Sequence, residues 1–218
     1  MKKAFLLLCI LSISVITTAC INNFAVQELN NKAMTMLDEG NYDEAIARLK
    51  SSIELDDSVF ESHYNLAVAY TKAENYAEAM KCYQKAINLK PNFADSYYSL
   101  AVTEENLAID LNAGLLVIDE NGELQKAVQS KDEEDEKDDV ILTEAEKNYI
   151  KTLQQDAIKN YNLYLSKAGK VDNTDEIQKR ISDLEAKIDP VNLPEVNKED
   201  KKETKTDEVD VQAPSENE

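Results

Sequence analysis

One spacing, 34 residues, limits what this chain can become. The stretch ENYAEAMKCYQKAINLKPN (74–92) answers GNYDEAIARLKSSIELDDS (40–58): Asn41, Tyr42, Glu44, Ala45, Ile53 and Leu55 recur as Asn75, Tyr76, Glu78, Ala79, Ile87 and Leu89. Upstream, Asn31 and Ala33 recur as Asn65 and Ala67, and Tyr64, Leu66, Ala67 and Val68 recur as Tyr98, Leu100, Ala101 and Val102. A fixed period of this length implies a stacked array, in which each unit buries its apolar face only against its neighbours.

Within one period, Tyr76, Ala79, Met80, Tyr83, Ala86 and Ile87 follow the i, i+3, i+4, i+7 spacing of a helix. Ala79 lets a neighbouring helix approach, and Tyr83 fills the space one turn later. Asn75 with Glu78, and Asn41 with Glu44, have the spacing of a helix start whose first amides need acceptors. Ser58 and Glu61 read as a capping box for the helix that opens the second period, and Pro91 ends the helix that starts at Asn75. Each period is therefore helix, turn, helix, turn.

With Leu66-Ala67, Tyr70, Ala79, Tyr83, Ala86 and Pro91, residues 60–93 resemble the tetratricopeptide repeat family. The repeat at about 26–59 is looser, with Leu49, Ser52 and Asp57 at the last three of those positions. A third, 94–169, opens with FADSYYSLAV (93–102) and resumes at QDAIKNYNLYLSKAG (155–169), where Ala157 and Tyr161 repeat Ala79 and Tyr83 but Tyr164 replaces the last alanine. The matching alanine would otherwise fall at 79 + 34 = 113, so 157 − 113 = 44 residues are extra. The resemblance implies an all-α fold, a short α-solenoid of about three helix pairs within a domain at 26–188.

The extra residues form an acidic insertion at about 109–143. Gly114 is expected to end a helix, LLVIDENGELQKAV to form a short hairpin at its Asn-Gly step, and KDEEDEKDD (131–139) to be a solvated linker. That run lacks the spaced ligands of a calcium loop. Thr143 and Glu146 make a capping box for a long helix. Residues 173–188 carry Ile177, Ile181, Leu184 and Ile188 on one stripe, as a capping helix for the last repeat would. The remainder, 189–218, reads as a disordered acidic tail.

The first nineteen residues, with Lys2, Lys3 and an uncharged apolar run, read as an export signal. The Ala19-Cys20 step resembles the end of a bacterial lipobox, with Thr17 where leucine is usual; this implies a lipid on Cys20, a tether at 20–25 and a membrane-anchored lipoprotein of the bacterial cell envelope. An uncleaved anchor is the alternative. Loss of Lys2 and Lys3 would take the net charge from −19 to −21, which excludes phosphate-driven nucleic-acid binding. Cys82 would be the one thiol left besides Cys20 and reads as a small packing residue.

Four dispersed glycines cradle no phosphate, and the single histidine, His63, reads as packing. No catalytic residue, cofactor or metal site is expected. The resemblance instead implies a concave groove lined by the first helix of each repeat: Asn30, Asn31, Met34 and Leu37, then Tyr64, Asn65, Val68 and Lys72, then Tyr98, Val102 and Asn106. Asp95 and Ser99 stand where a carboxylate-gripping subfamily has cations, which argues against chaperone tails as ligands. The expected function is a non-catalytic interaction module that holds a protein or peptide segment. A self-associating structural protein is the alternative, and an envelope hydrolase a distant third.

Overall fold

The computed structural model describes residues 22–127 and 140–188. The leader, Cys20, the acidic run 131–139 and the tail 189–218 lie outside the described residues. Three antiparallel helix pairs follow one another: α1 (22–38) with α2 (Tyr42–Leu55), α3 (Phe60–Lys72) with α4 (Tyr76–Leu89), and α5 (Ala94–Asn112) with α6 (Glu144–Ala168). A last helix, α7 (Thr174–Ile188), packs on α6, and a two-stranded ribbon, β1 (Leu116–Ile118) and β2 (Leu124–Lys126), follows α5. The first described residue, 22, is already helical, so residues 22–25, expected to belong to the tether, are part of α1.

The small and aromatic positions of the pattern make the core. Ala79, Ala86 and Ala157 are fully enclosed, and Tyr83 and Tyr161 fill the space beside them. Tyr164, at an alanine position, is buried with its ring centroid 5.2 Å from that of Tyr98. Ile177 and Leu184 of α7 close the open end of the stack.

Two capping expectations need correction. Asn41 and Asn75 do precede helices, but neither side chain caps. Their backbone amides instead close the preceding helix: Asn41 N–H donates to Met36 O and Asn75 N–H to Tyr70 O, both at 2.8 Å. This arrangement needs a left-handed residue just before, supplied by Gly40 (φ +79°) and, one period on, by Glu74 (φ +59°). Gly114 (φ +65°) ends α5 in the same way. Nor does Ser58 cap α3: its hydroxyl and amide both turn to the Asp56 carboxylate, and Val59 is the residue before the helix. The Thr143–Glu146 box forms as expected.

The second connection type also repeats. His63 Nε2 meets the Asp57 carbonyl at 2.9 Å, and Tyr97 OH donates to the Pro91 carbonyl at 3.0 Å. Both side chains sit 34 residues apart and tie the turn before their helix to its first turn, so His63 is buried structure.

The insertion is largely folded. Six residues lengthen α5, since Gly114 falls at 74 + 34 + 6, and ten lengthen α6, whose Ala157 lies 13 residues from its start where Ala79 lies 3. These turns and the ribbon build a second core: Leu107, Ala108, Leu111, Leu116, Ile150 and Leu153, closed by Tyr76 of repeat two. The ribbon pairs Leu116 with Lys126 and Ile118 with Leu124. Its turn is not the two-residue Asn-Gly type: Asn121 lacks a positive φ, and Gly122 (φ +81°) ends a three-residue loop closed by the Asp119 N–H to Glu123 carbonyl bond, its own amide returning to the Asp119 carbonyl.

Candidate interaction surface

The first helices of the three repeats, α1, α3 and α5, bring side chains into rows with the 34-residue spacing. Met34, Val68 and Val102 form one row: Met34 is 39% exposed, and the two valines are half-buried beside the core. Asn31, Asn65 and Ser99 form the next, with Asn31 exposed and the other two half-buried. Lys72 is exposed and Asn106 half-buried further along.

Not all predicted groove residues are open at the surface. Leu37 is buried in the core. Asn30 is buried as well, its Nδ2 lying 2.8 Å from both Ser52 Oγ and Ser62 Oγ and 2.9 Å from the Val26 carbonyl, so it fastens α1 to α2 and α3. Tyr64 and Tyr98 are not stacked on each other. The Tyr64 ring lies against Tyr83 and Phe93, and its hydroxyl reaches Ser99 Oγ at 3.1 Å. The Tyr98 ring lies against Tyr161 and Tyr164. Burial raises the Tyr64 pKa, so the phenol stays neutral. Tyr64, Asn65, Val68, Tyr98 and Val102 are the half-buried floor of the surface, and Asn31 and Met34 are its exposed edge.

At the repeat-one end this edge deepens into a cleft of about 530 Å³ that includes Val26, Asn31, Phe60, Glu61 and Asn65. Asn65 Nδ2 donates to Asn30 Oδ1 at 3.0 Å, which aims Asn65 by way of the buried amide. Tyr98, Val102 and Lys72 lie outside this cleft.

Two interactions were missed by sequence reasoning because their partners are 56 residues apart. Glu104 of α5 is buried, with both carboxylate oxygens 2.9–3.0 Å from Asn160 Nδ2 of α6. Desolvation pushes its pKa up to about 8; the Asn160 hydrogen bond opposes the rise and Asp156 adds to it. Glu105 accepts from Tyr161 OH at 2.7 Å and pairs with Arg180 at 3.2 Å, clamping α7 to the third repeat. A polar residue at a helix-facing position in a long apolar stripe was the available signal. The Cys82 thiol is half-buried and its pKa is raised to about 11 by desolvation, so it stays protonated.

Helix pairs stacked at one period, with one open row of side chains, define a short α-solenoid of the protein-interaction class. The chain carries tetratricopeptide repeats: models described as tetratricopeptide repeat match residues 60–93 and 82–129, and one described as TPR repeat matches 36–74. No curated protein sequence matches. Among solved structures, the TPR2B domain of yeast Sti1 in its pHsp70 complex is similar at 13% identity and TM-score 0.51, over 75% of this chain and 98% of that one. The first TPR domain of human RPAP3 is similar at 17% identity and TM-score 0.49, over 75% and 94%. MamA is similar at 20% identity and TM-score 0.40, over 80% and 85%.

Proposed function

We propose that this chain is a non-catalytic adaptor that holds a protein segment along the row Asn31, Met34, Asn65, Val68 and Val102. The carrying observation is the repetition of apolar side chains at 34, 68 and 102 and of amides at 31 and 65, exposed in the first repeat and half-buried in the next two, in an otherwise acidic molecule. Amides can pair with a partner's backbone, and Met34 offers an adaptable apolar contact. Net charge of −19 favours a partner with basic flanks. The yeast Sti1 domain stands in complex with pHsp70, which is compatible with this use of the fold. A carboxylate-terminated tail is disfavoured, because Asp95 is exposed at one expected cation position and Ser99 is bonded to Tyr64 at the other.

We further propose that the domain belongs to a bacterial envelope, tethered by lipid on Cys20. Support comes from the Lys2-Lys3 start, the apolar run and the Ala19-Cys20 step. Labelled fatty acid should enter the wild type and be absent from Cys20→Ser; equal labelling of both would refute the tether.

The test of the groove is a photo-crosslinking amino acid placed singly at Met34 and Lys72, with Gln84 and Lys85 of α4 as exposed controls. Partner capture in intact cells is expected at the first pair alone. Equal capture at the α4 positions, or capture only there, would overturn the groove assignment.

A further inference from the structure

A second concavity, of about 610 Å³, lies where the end of α5, the added turns of α6 and the end of α7 meet. Its floor is apolar, from Ile109, Ile150, Leu184 and Ile188. Its rim carries Lys147, Lys151 and Lys187, with Glu105 as the one acid. Lys147 is paired with Glu144 at 2.7 Å, and Glu105 with Arg180. Lys151 and Lys187 have no carboxylate within 4.0 Å among the described residues. Two lysines with no carboxylate partner among the described residues, over an aliphatic floor, are an unusual local surface in a chain of net charge −19. Such a place favours a segment with aliphatic side chains and carboxylates.

The chain carries such a segment at the lip of the cleft. Helix α7 ends at Ile188, itself part of the floor, and Asp-Pro-Val-Asn-Leu-Pro-Glu-Val (189–196) comes next. Val191, Leu193 and Val196 supply aliphatic groups; Asp189 and Glu195 supply carboxylates. Pro190 forbids simple continuation of the helix. Eight extended residues reach about 26 Å, ample to run from the end of α7 across to the first turns of α6. An acidic segment from another molecule would be repelled by the net charge. A tethered one arrives at an effective concentration in the millimolar range without that penalty.

We propose that residues 189–196 dock into this cleft, with Val191 and Leu193 on the apolar floor and Asp189 and Glu195 toward Lys151 and Lys187. Docking would brace the amino-terminal turns of α6, which the first two repeats lack.

Hydrogen exchange at residues 146–151 tests this on intact chains: wild type, Val191→Asp/Leu193→Asp, and Lys151→Glu/Lys187→Glu. All changes are in the tail or on exposed side chains, and unchanged exchange in α3 confirms that each variant is folded. Exchange at 146–151 is expected to be at least fivefold faster in both variants than in wild type. Equal exchange in all three overturns the docking. Faster exchange in the tail variant alone overturns the lysine assignment. Protection that grows with protein concentration means that the segment comes from a second copy, and overturns docking within one chain.

Discussion

The first two repeats and the third use the same helix pair for different ends. In α3 and α4 the helices have 13 and 14 residues and the turn between them is three residues long. In α5 and α6 they have 19 and 25, and a ribbon stands between them. The shorter pairs bury their apolar faces against one another and against the third pair. The longer pair overhangs its neighbour and needs a second core of its own, which it completes by borrowing Tyr76 from repeat two. Tyr76 OH donates to Asp110 at 2.7 Å, and Lys126 of the ribbon pairs with Glu74 at the same distance. The lesson is that an insertion at the tip of a repeat can fasten the array together rather than dangle from it.

The strongest way to break this comparison is a cavity in each core. Leu49 lies in the stack and Leu111 in the second core, and both are 0% exposed. Each changed to Ala should cost about 2–5 kcal/mol in the same unfolding transition. A separate early transition for Leu111→Ala in thermal melts would show that the overhang folds on its own and braces nothing.

The polar interiors differ next. The first repeats use the uncharged Asn30, Ser52 and Ser62, while the third buries Glu104. Its folded pKa of about 8 exceeds the ordinary 4.5, so between those values the folded chain keeps a proton that the unfolded chain has released. The contribution of Glu104 to stability should therefore be full below pH 4.5 and be lost as pH rises through 8. Glu104→Gln should remove this loss and gain about 1–3 kcal/mol at pH 8. Denaturant titrations at pH 5 and pH 8 decide; an unchanged pH dependence would mean that Glu104 is hydrated.

The helix stops give a smaller effect. Gly40→Ala places a side chain at φ +79° and should cost about 1 kcal/mol, whereas Glu74→Gly should gain up to ~1, offset in part by the exposed Lys126 pair. Opposite signs in thermal melts are the signature. A loss in both would show that the Glu74–Lys126 clip outweighs the backbone relief at Glu74. Least of all, Ser96→Ala should be neutral or slightly stabilising, because its buried hydroxyl lacks a partner among the described residues. Ser62→Ala should cost about 1 kcal/mol.

Much of the scaffold could be read from residue order alone. The period, the helix pairs, the Thr143–Glu146 cap, the Gly114 stop and the last helix depend on neighbours within a turn or on repetition. The misread caps at Asn41, Asn75 and Ser58 show the limit: each has the right residue at the right spacing, yet a backbone closure or Asp56 competes for the same bonds. The overhang hid in plain view, since Leu107, Leu111, Ile150 and Leu153 keep helical spacing on either side of the ribbon. Of the candidate groove, the rows were legible, but which side chains turn inward was not. Asn30 is buried because two serines from other helices meet it, and no local pattern records that meeting.

That buried amide also gives the array a reading direction. At the junction of the first and second repeats, Asn30 unites Ser52 and Ser62. One period on, the corresponding residues are Tyr64, Ala86 and Ser96, and Ser96 is left without its counterpart contacts. The units look alike in outline but are keyed differently at their joints, like numbered staves. Exchanging repeats one and two would strand an amide among apolar neighbours and crowd a phenol against serines. The order of the units is therefore written into their seams, and duplication of a single unit could not lengthen this array without new seams.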